Sequence, residues 1–245
     1  MTNILCLHGG GASGDVLRTQ LAPVIYELAK TTDIHFHFLT GPVEAPPAPG
    51  LAEQYEGPFY RFLDKDAPHI NQFTGLSASL AEHFSSPEAC GRALRETGMA
   101  SVNSSTVCDF LEKHLGQHQE FLYDGVLGFS EGASVAAALM LRQNSQGKEW
   151  PFQFAIFICG MPPFRWDAND VVLPNETTQR IHVPTAHILG AEDAGRQASR
   201  ILYDLCEESS ASLVYHKGGH TIPWDRTSTA LIGETIRRVL DRVED

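Results

Sequence analysis

The 245-residue sequence lacks an excess of basic residues and any paired-cysteine motif. It also has no apolar run of about 18 residues, so it offers no candidate membrane span. Its first apolar stretch is short and is interrupted by a His-Gly-Gly-Gly run, so we expect no secretory signal peptide. There are 18 basic and 30 acidic residues, which give a net charge of −12. This charge disfavours binding to nucleic acid or to an anionic membrane.

Metal and cofactor signatures are missing as well. There is no H-E-x-x-H motif and no cluster of Cys and His, so we predict no catalytic metal. The five cysteines are odd in number, and Cys6 and Cys159 lie inside apolar runs, which indicates buried free thiols in a reducing, cytoplasmic location. The first glycine-rich stretch fits neither the P-loop motif nor a dinucleotide motif, whose acidic residue is absent from its expected place. Nucleotide binding is a minor alternative, and we predict no cofactor.

What the sequence does contain is an alternation of apolar runs with helical patterns. A hydrophobic content of 42% and a charged content of 20% are ordinary for a globular protein. The length fits one α/β domain as well as two small ones. Because strands alternate with helices and end in glycine-rich loops, we predict a single α/β domain over residues 1–245, with a mainly parallel sheet and helices on both faces. The predicted strands are Ile4–Leu7, Ile34–Leu39, Gly125–Phe129, Phe152–Cys159, Val183–Leu189 and Leu213–His216. The predicted helices are Val16–Lys30, Gly75–Phe84, Pro87–Glu96, Ser101–His118, Glu131–Leu141, Arg196–Glu208 and Ala230–Val243.

Ser130 lies at the centre of a G-x-S-x-G pattern between a predicted strand and a predicted helix. A nucleophile elbow is a tight strand-to-helix turn that lifts a serine hydroxyl above the sheet. The turn crowds its neighbours, so small residues are needed two positions before and two after the serine, where Gly128 and Gly132 stand. The pattern predicts a nucleophilic serine. A glycine-rich turn without chemistry is the alternative.

Ser130 has an acid and a base in the order that a nucleophile elbow requires. A serine hydroxyl needs a base, and the base needs a carboxylate to orient it. In sheets with such an elbow the acid and then the histidine follow the serine along the chain. Asp193 follows one predicted strand and His220 follows the last one, so we predict Ser130, Asp193 and His220 as the catalytic residues. Three weaker candidates for the acid are Glu192, Asp167 and Asp170.

Two backbone N–H groups are predicted to bind the oxyanion that acyl transfer creates. One is that of Glu131, the residue after the nucleophile, at a helix N-terminus whose dipole favours negative charge. The other comes from the loop after the first strand, where Gly10 is the better candidate and Gly11 the next. The side chain of Glu131 would oppose an oxyanion, so we expect it to point away, into a hydrogen bond or an ion pair.

Residues 41–72 are predicted to form a long excursion over the sheet. Four prolines among residues 41–50 exclude a regular helix or a central strand. Loops of this length are usually functional or disordered, and the aromatic residues that follow argue against disorder. We predict a cap that forms an apolar wall over a substrate cleft, and anchoring of the loop to the core is the alternative. The predicted substrate-binding residues are Tyr55, Phe59, Tyr60, Phe62 and Phe129.

Taken together, these motifs resemble those of the fungal serine hydrolase family, which includes the ovarian-cancer-associated hydrolase type. The similarity covers essentially the whole chain and is carried by residues 4–11, 128–133, 190–193 and 218–220. It implies an α/β-hydrolase fold with Ser130, Asp193 and His220 as the triad, acting on acyl esters and thioesters. The Gly-Phe-Ser-Glu-Gly-Ala elbow is similar to that of fungal thioesterases that release polyketides, such as the one of the lovastatin pathway. The Gly-Gly-Gly run departs from many relatives, which carry a bulkier residue after His-Gly.

Three functions follow as hypotheses. The first is a thioesterase that acts in trans on an acyl chain held by the carrier domain of a polyketide synthase. The second is a general carboxylesterase of small acyl esters with no protein partner. The third is a binding module that keeps the fold without catalysis, which the complete set of candidate catalytic residues disfavours.

Overall fold

The computed structural model describes residues 1–67, 86–117 and 122–244. Its centre is a parallel sheet of six strands in the order β2-β1-β5-β6-β7-β8. A separate antiparallel pair, β3-β4, lies outside this sheet. The strands are β1 Thr2–Leu7, β2 Ile34–Leu39, β3 Val43–Glu44, β4 Tyr60–Arg61, β5 Gly125–Phe129, β6 Phe154–Ile158, β7 Thr185–Gly190 and β8 Ala211–His216.

Helices cover both faces of the sheet, because its strands are apolar on both sides. In β1, for example, Leu5 and Leu7 face one hydrophobic core while Ile4 and Cys6 face the other. The described helices are α1 Gly14–Leu28, α2 Pro87–Glu96, α3 Ser105–Gln117, α4 Glu131–Ser145, α5 Arg196–Asp204 and α6 Arg226–Glu244. The first core contains residues of α2, α3, α4 and α5, and the second contains residues of α1 and α6.

The order of the strands brings two glycine-rich loops together. Strand β1 lies between β2 and β5, and Leu7 is level with Gly128 in the parallel register. The loops that leave β1 and β5 therefore emerge side by side at the carboxyl edge of the sheet, where ligands bind in folds of this type. The loops after β7 and β8 leave the same edge, since Gly190 is level with His216.

The predicted α/β class and mainly parallel sheet are confirmed, and all six predicted strands are present. Their bounds shift by a few residues: the strand predicted to reach Cys159 ends at Ile158, and the helix predicted from Val16 begins at Gly14. Ser13 caps that helix by accepting a hydrogen bond from the Val16 N–H. The predicted helix Gly75–Phe84 lies outside the described residues, as does the end of the 41–72 excursion. None of the described helices is both long enough and apolar enough to cross a bilayer.

The described part of the excursion, residues 41–67, folds back against the sheet as the short β3-β4 hairpin. Tyr60 continues the pairing onto the loop after β1, where its carbonyl accepts hydrogen bonds from the N–H groups of Gly11 and Ala12. Phe59 packs against Ala12 and Val16. As predicted, this segment contains no helix and contributes no strand to the central sheet.

Gly132 allows α4 to approach β1 at backbone distance. A Cβ at this position would lie 2.1 Å from the Leu7 carbonyl oxygen. We predict that Gly132→Ala lowers the free energy of unfolding by at least about 2 kcal/mol, because backbone cannot move aside as a side chain can. Urea denaturation measures the change. The control is Gly116→Ala in α3, where nothing lies within 4 Å and the helix should be unchanged or up to about 1 kcal/mol more stable. Equal effects of the two substitutions would contradict this account.

His187 makes the stability of the fold depend on pH. Its ring is buried in β7, and burial, with a smaller effect of the Arg200 charge, lowers its pKa from 6.5 to about 3. Between pH 6.5 and pH 3 this histidine is protonated in the unfolded chain and neutral in the folded chain. The free energy of unfolding should therefore fall as pH drops from about 6.5 to about 3, by up to about 1.4 kcal/mol per pH unit. Urea denaturation across this range should show a flatter slope for His187→Gln. The exposed His35→Gln is the control and should leave the slope unchanged.

Candidate active site

Ser130 sits in a strained turn between β5 and α4. Its φ of 54° and ψ of −114° lie in a region that non-glycine residues rarely occupy. The turn is held by the Ser130 N–H, which donates to the Ile158 carbonyl, and by the Ser130 carbonyl, which accepts from the first turn of α4. A Cβ on Gly128 would lie 2.4 Å from Ala133. The predicted crowding around both elbow glycines is therefore confirmed.

The structure brings Ser130, His220 and Asp193 into one chain of hydrogen bonds. The Nε2 atom of His220 lies 2.9 Å from Ser130 Oγ, and its Nδ1 atom lies 2.8 Å from Asp193 Oδ2. These residues come from loops after three different strands, β5, β7 and β8. The carboxylate accepts from Nδ1–H, which leaves the Nε2 lone pair directed at the serine hydroxyl. The Phe129 ring packs against the imidazole, with ring centroids 5.4 Å apart.

Asp193 is held as a carboxylate. Burial by itself would raise its pKa, but the hydrogen bond and charge of His220, together with the Gly195 N–H at 2.7 Å, outweigh burial and keep that pKa below its ordinary value. The other acids named as candidates lie elsewhere: Glu192 is exposed, while Asp167 pairs with Arg165 and Asp170 with Arg95. Asp193 is the acid that contacts His220.

Cys159 lies behind the Asp193–His220 pair with a positive φ of 45°. Its sulfur, together with Asp193 and His220, forms the one group of potential metal ligands within the described ranges, with ligand atoms inside 4.8 Å of one another. The set suits a cation poorly, because His220 and Asp193 already bind each other and burial raises the pKa of the thiol far above its usual range. A protonated thiol at this place donates weakly to neighbouring backbone carbonyls.

The N–H groups of Gly10 and Gly11 in the loop after β1 differ in whether they are already hydrogen-bonded. Gly11 has a φ of 75°, and its N–H is occupied by the Tyr60 carbonyl at 2.8 Å. The N–H groups of Gly10 and Glu131 donate to no residue that the structure describes. Gly10 and Ser130 line the same cleft. Of the two glycines considered as oxyanion donors, Gly10 is therefore the one left available.

His8 fastens this loop to the excursion. Its Nδ1 lies 2.7 Å from the Gly9 carbonyl and its Nε2 accepts from the Gly41 N–H at 2.9 Å. Burial is the main reason that the pKa of His8 lies below its ordinary value, which favours the neutral ring that such an acceptor requires. The Phe62 ring packs on the imidazole at a centroid distance of 4.7 Å.

The side chain of Glu131 is held in a buried ion pair. Its carboxylate accepts from Arg61 Nη2 at 2.9 Å and from the Phe62 and Leu63 N–H groups at 2.7 and 3.3 Å. The side chains of Arg61 and Glu131 are only 3% and 9% exposed. The expected hydrogen bond or ion pair of Glu131 is thus present. Nothing in the sequence had singled out Arg61, because its partner lies 70 positions away.

The cleft at Ser130 is lined differently from the prediction. It has a volume of about 330 Å³, and Phe129 is the one predicted substrate-binding residue on its wall. Phe59 and Phe62 are buried as anchors of the excursion, and Tyr55 and Tyr60 line other depressions. The described wall is made by Ala48, Pro49, Gly50, Leu51 and Gln54, with Gln20 of α1 and Thr221 beside His220. Phe59 and Phe62 point inward because the hairpin needs a core of its own, and of the five residues predicted to bind substrate Phe129 is the one that lines the described cleft.

This geometry defines a serine hydrolase with the α/β-hydrolase fold. Residues 1–231 match the family described as Serine hydrolase (FSH1). The chain belongs to that family.

Relatives include fungal esterases. The chain is similar to Esterase FPY3 of Fusarium mangiferae, with 34% identity over 226 residues that cover 90% of this chain and 88% of that protein. It is also similar to Esterase FUS5 of Gibberella moniliformis, with 31% identity over 235 residues that cover 95% and 84%. Among solved structures, Arabidopsis thaliana SOBER1 superposes with a TM-score of 0.50 at 16% identity, covering 98% of this chain and 99% of that one. Atu2452 of Agrobacterium tumefaciens, a protein of unknown function, gives 0.53 at 17% identity and covers 97% and 91%. At these identities the two structures support the fold alone.

The buried ion pair can be tested through stability. Arg61→Met removes the cation and leaves the Glu131 carboxylate buried without it, so we expect a loss of about 3–5 kcal/mol in the free energy of unfolding. Adding Glu131→Gln should restore part of that loss, since the charge is then gone. The control is Arg238→Met, which breaks an exposed ion pair with Glu234 and should change stability little. An Arg61→Met variant as stable as the wild type, measured by urea denaturation, would rule out a stabilising pair.

Proposed function

We propose that this serine hydrolase cleaves acyl esters or thioesters through an acyl-enzyme on Ser130. The observation that carries the proposal is the hydrogen-bonded chain from Ser130 Oγ through His220 to Asp193, with separations of 2.9 and 2.8 Å. His220 Nε2 takes the hydroxyl proton as Oγ attacks the acyl carbonyl. The imidazolium then gives that proton to the departing alcohol or thiol.

The second half of the reaction restores the serine. Water, or a hydroxyl of the acyl chain itself, attacks the acyl-enzyme and loses a proton to His220. That proton returns to Ser130 Oγ as the acid or lactone leaves. Asp193, whose pKa is depressed, stays ionised throughout and stabilises the imidazolium.

Gly10 and Glu131 are proposed to hold the oxyanion through their N–H groups. Both groups lack a partner among the described residues, and Glu131 begins α4, where the helix dipole favours negative charge. The Glu131 carboxylate sits close to Gly10, since a Cβ there would lie 2.9 Å from Oε2. Arg61 neutralises that carboxylate, so its charge does not oppose the oxyanion.

The substrate that we propose first is an acyl thioester on the carrier domain of a polyketide synthase. The similarity of the elbow to that of polyketide-releasing thioesterases supports this choice. A carboxylesterase of small esters, with no protein partner, is the second candidate, and the relatives named as esterases favour it. We also infer a cytoplasmic location, supported by five cysteines that are all free and buried.

Ser130→Ala should lower kcat for hydrolysis of p-nitrophenyl butyrate and of an acyl N-acetylcysteamine thioester by about 10³-fold or more, because no other group replaces the nucleophile. The variant should also lose labelling by a fluorophosphonate probe. Ser145→Ala, at the exposed end of the same helix, is the control and should keep both properties. Full turnover by Ser130→Ala would refute the mechanism. A higher kcat/KM for the thioester favours the thioesterase, and a higher value for the ester favours the carboxylesterase.

A further inference from the structure

The cleft at Ser130 adjoins a second groove with which it shares three lining residues. Gln20, Gln54 and Thr221 line it, and the same three residues line a second, more open groove of about 330 Å³. We call the first space the inner cleft and the second the outer groove, and these three residues form the waist between them. Thr221 directly follows His220, so the outer groove continues from the reacting centre along the loop that leads to α6.

The outer groove has an apolar floor and a fixed aromatic side. Ile222, Pro223, Trp224 and Tyr55 line it beyond the waist. Ile222 and Pro223 are buried in the fold, while Trp224 is 61% exposed. The indole N–H of Trp224 donates to the Gln20 carbonyl at 3.2 Å, which holds the ring in place. An indole that is ordered and yet exposed offers contact area at little cost in conformational entropy.

No Asp, Glu, Lys or Arg side chain lines either space among the residues described, so an ionic group at the far end of a substrate would find no partner there. The waist carries the hydroxyl of Thr221, which donates to the Ile222 carbonyl, and the neutral carboxamides of Gln20 and Gln54, neither of which hydrogen-bonds within the described structure. They can bind a hydroxyl or carbonyl oxygen of a chain that passes between them. The two spaces together suit an elongated, uncharged molecule.

We propose that the outer groove is a second substrate subsite, which binds the uncharged, apolar far end of a chain whose reacting carbonyl lies at Ser130. The proposal rests on the proposed function and adds a class of substrate to it: elongated esters or thioesters with no charge near the far end. The chain reaches the subsite either as the acyl group or as the leaving group. The contact that defines the subsite is the face of Trp224.

The test compares two series of esters on the wild type, Trp224→Ala and Trp224→Phe. One series varies the acyl chain of p-nitrophenyl esters from acetate to dodecanoate. The other varies the leaving group of butyrate esters from methyl to decyl and 2-naphthylethyl. For chains long enough to pass the waist, we expect kcat/KM of the wild type to rise by up to about fourfold per added methylene in one of the series. The series in which this occurs identifies the part of the substrate that occupies the groove.

Trp224→Ala should lower kcat/KM about tenfold for the long members of that series, mainly through KM, and leave the short members within about twofold. Trp224→Phe keeps an aromatic face and should retain most of the gain with length. Tyr26→Ala, which removes an aromatic side chain that is 72% exposed and lines neither space, is the control and should change no value. Thermal melts of each variant show whether it is folded.

The subsite is refuted if Trp224→Ala, when folded, preserves the dependence on chain length in both series, or if it slows short and long esters equally. If Trp224→Ala does not fold, Trp224→Gln, which also removes the aromatic face, takes its place, and a folded Trp224→Gln that keeps the length dependence of the wild type in both series refutes the subsite. Failure of the proposed function looks different, because the wild type would then hydrolyse no ester of either series at a rate that depends on Ser130.

Discussion

The carboxylate of Glu131 imposes a constraint that the rest of the site has to satisfy. It lies at the start of α4, beside Gly10, whose N–H group is proposed to bind the oxyanion of the substrate. The carboxylate is almost entirely buried. A buried charge needs a close partner and hydrogen bonds. Arg61 and the backbone of Phe62 and Leu63 supply both. Since all three belong to the excursion, the hairpin must be folded onto the sheet before the helix N-terminus is electrostatically suited to an anion.

The same dependence explains what could be predicted from the sequence. The strands and the Ser130, Asp193 and His220 loops are local features, each marked by an apolar run that ends in glycine-rich chain, and parallel pairing then gathers their ends at one edge. The path of the excursion is set by contacts distant in sequence: Arg61 with Glu131, and Gly41 with His8. Aromatic content shows that a segment is ordered but not which way its rings face. The rings were therefore assigned to substrate, whereas Phe59 and Phe62 hold the hairpin down.

The wall of the inner cleft was missed for a related reason. Ala48, Pro49 and Gly50 are small or rigid residues that suggest a turn rather than a binding surface. Their position depends on the loop that contains Gly11. The Gly11 carbonyl accepts from the Ala48 N–H, and a Cβ on Gly11 would meet Ala48 at 2.5 Å. This gives the Gly-Gly-Gly run a physical reason: Gly10 lies beside the Glu131 carboxylate, and Gly11 adopts a positive φ against the wall.

The attachment of that wall has an evolutionary consequence. Among the described residues, stretch 46–54 is hydrogen-bonded to the loop after β1 at Gly11, and its Leu51 packs against Ala12 and Val16. Exchanges at residues 48–50 and 54 would therefore change the wall of the inner cleft, while the residues of the strands, the elbow and the ion pair stay the same.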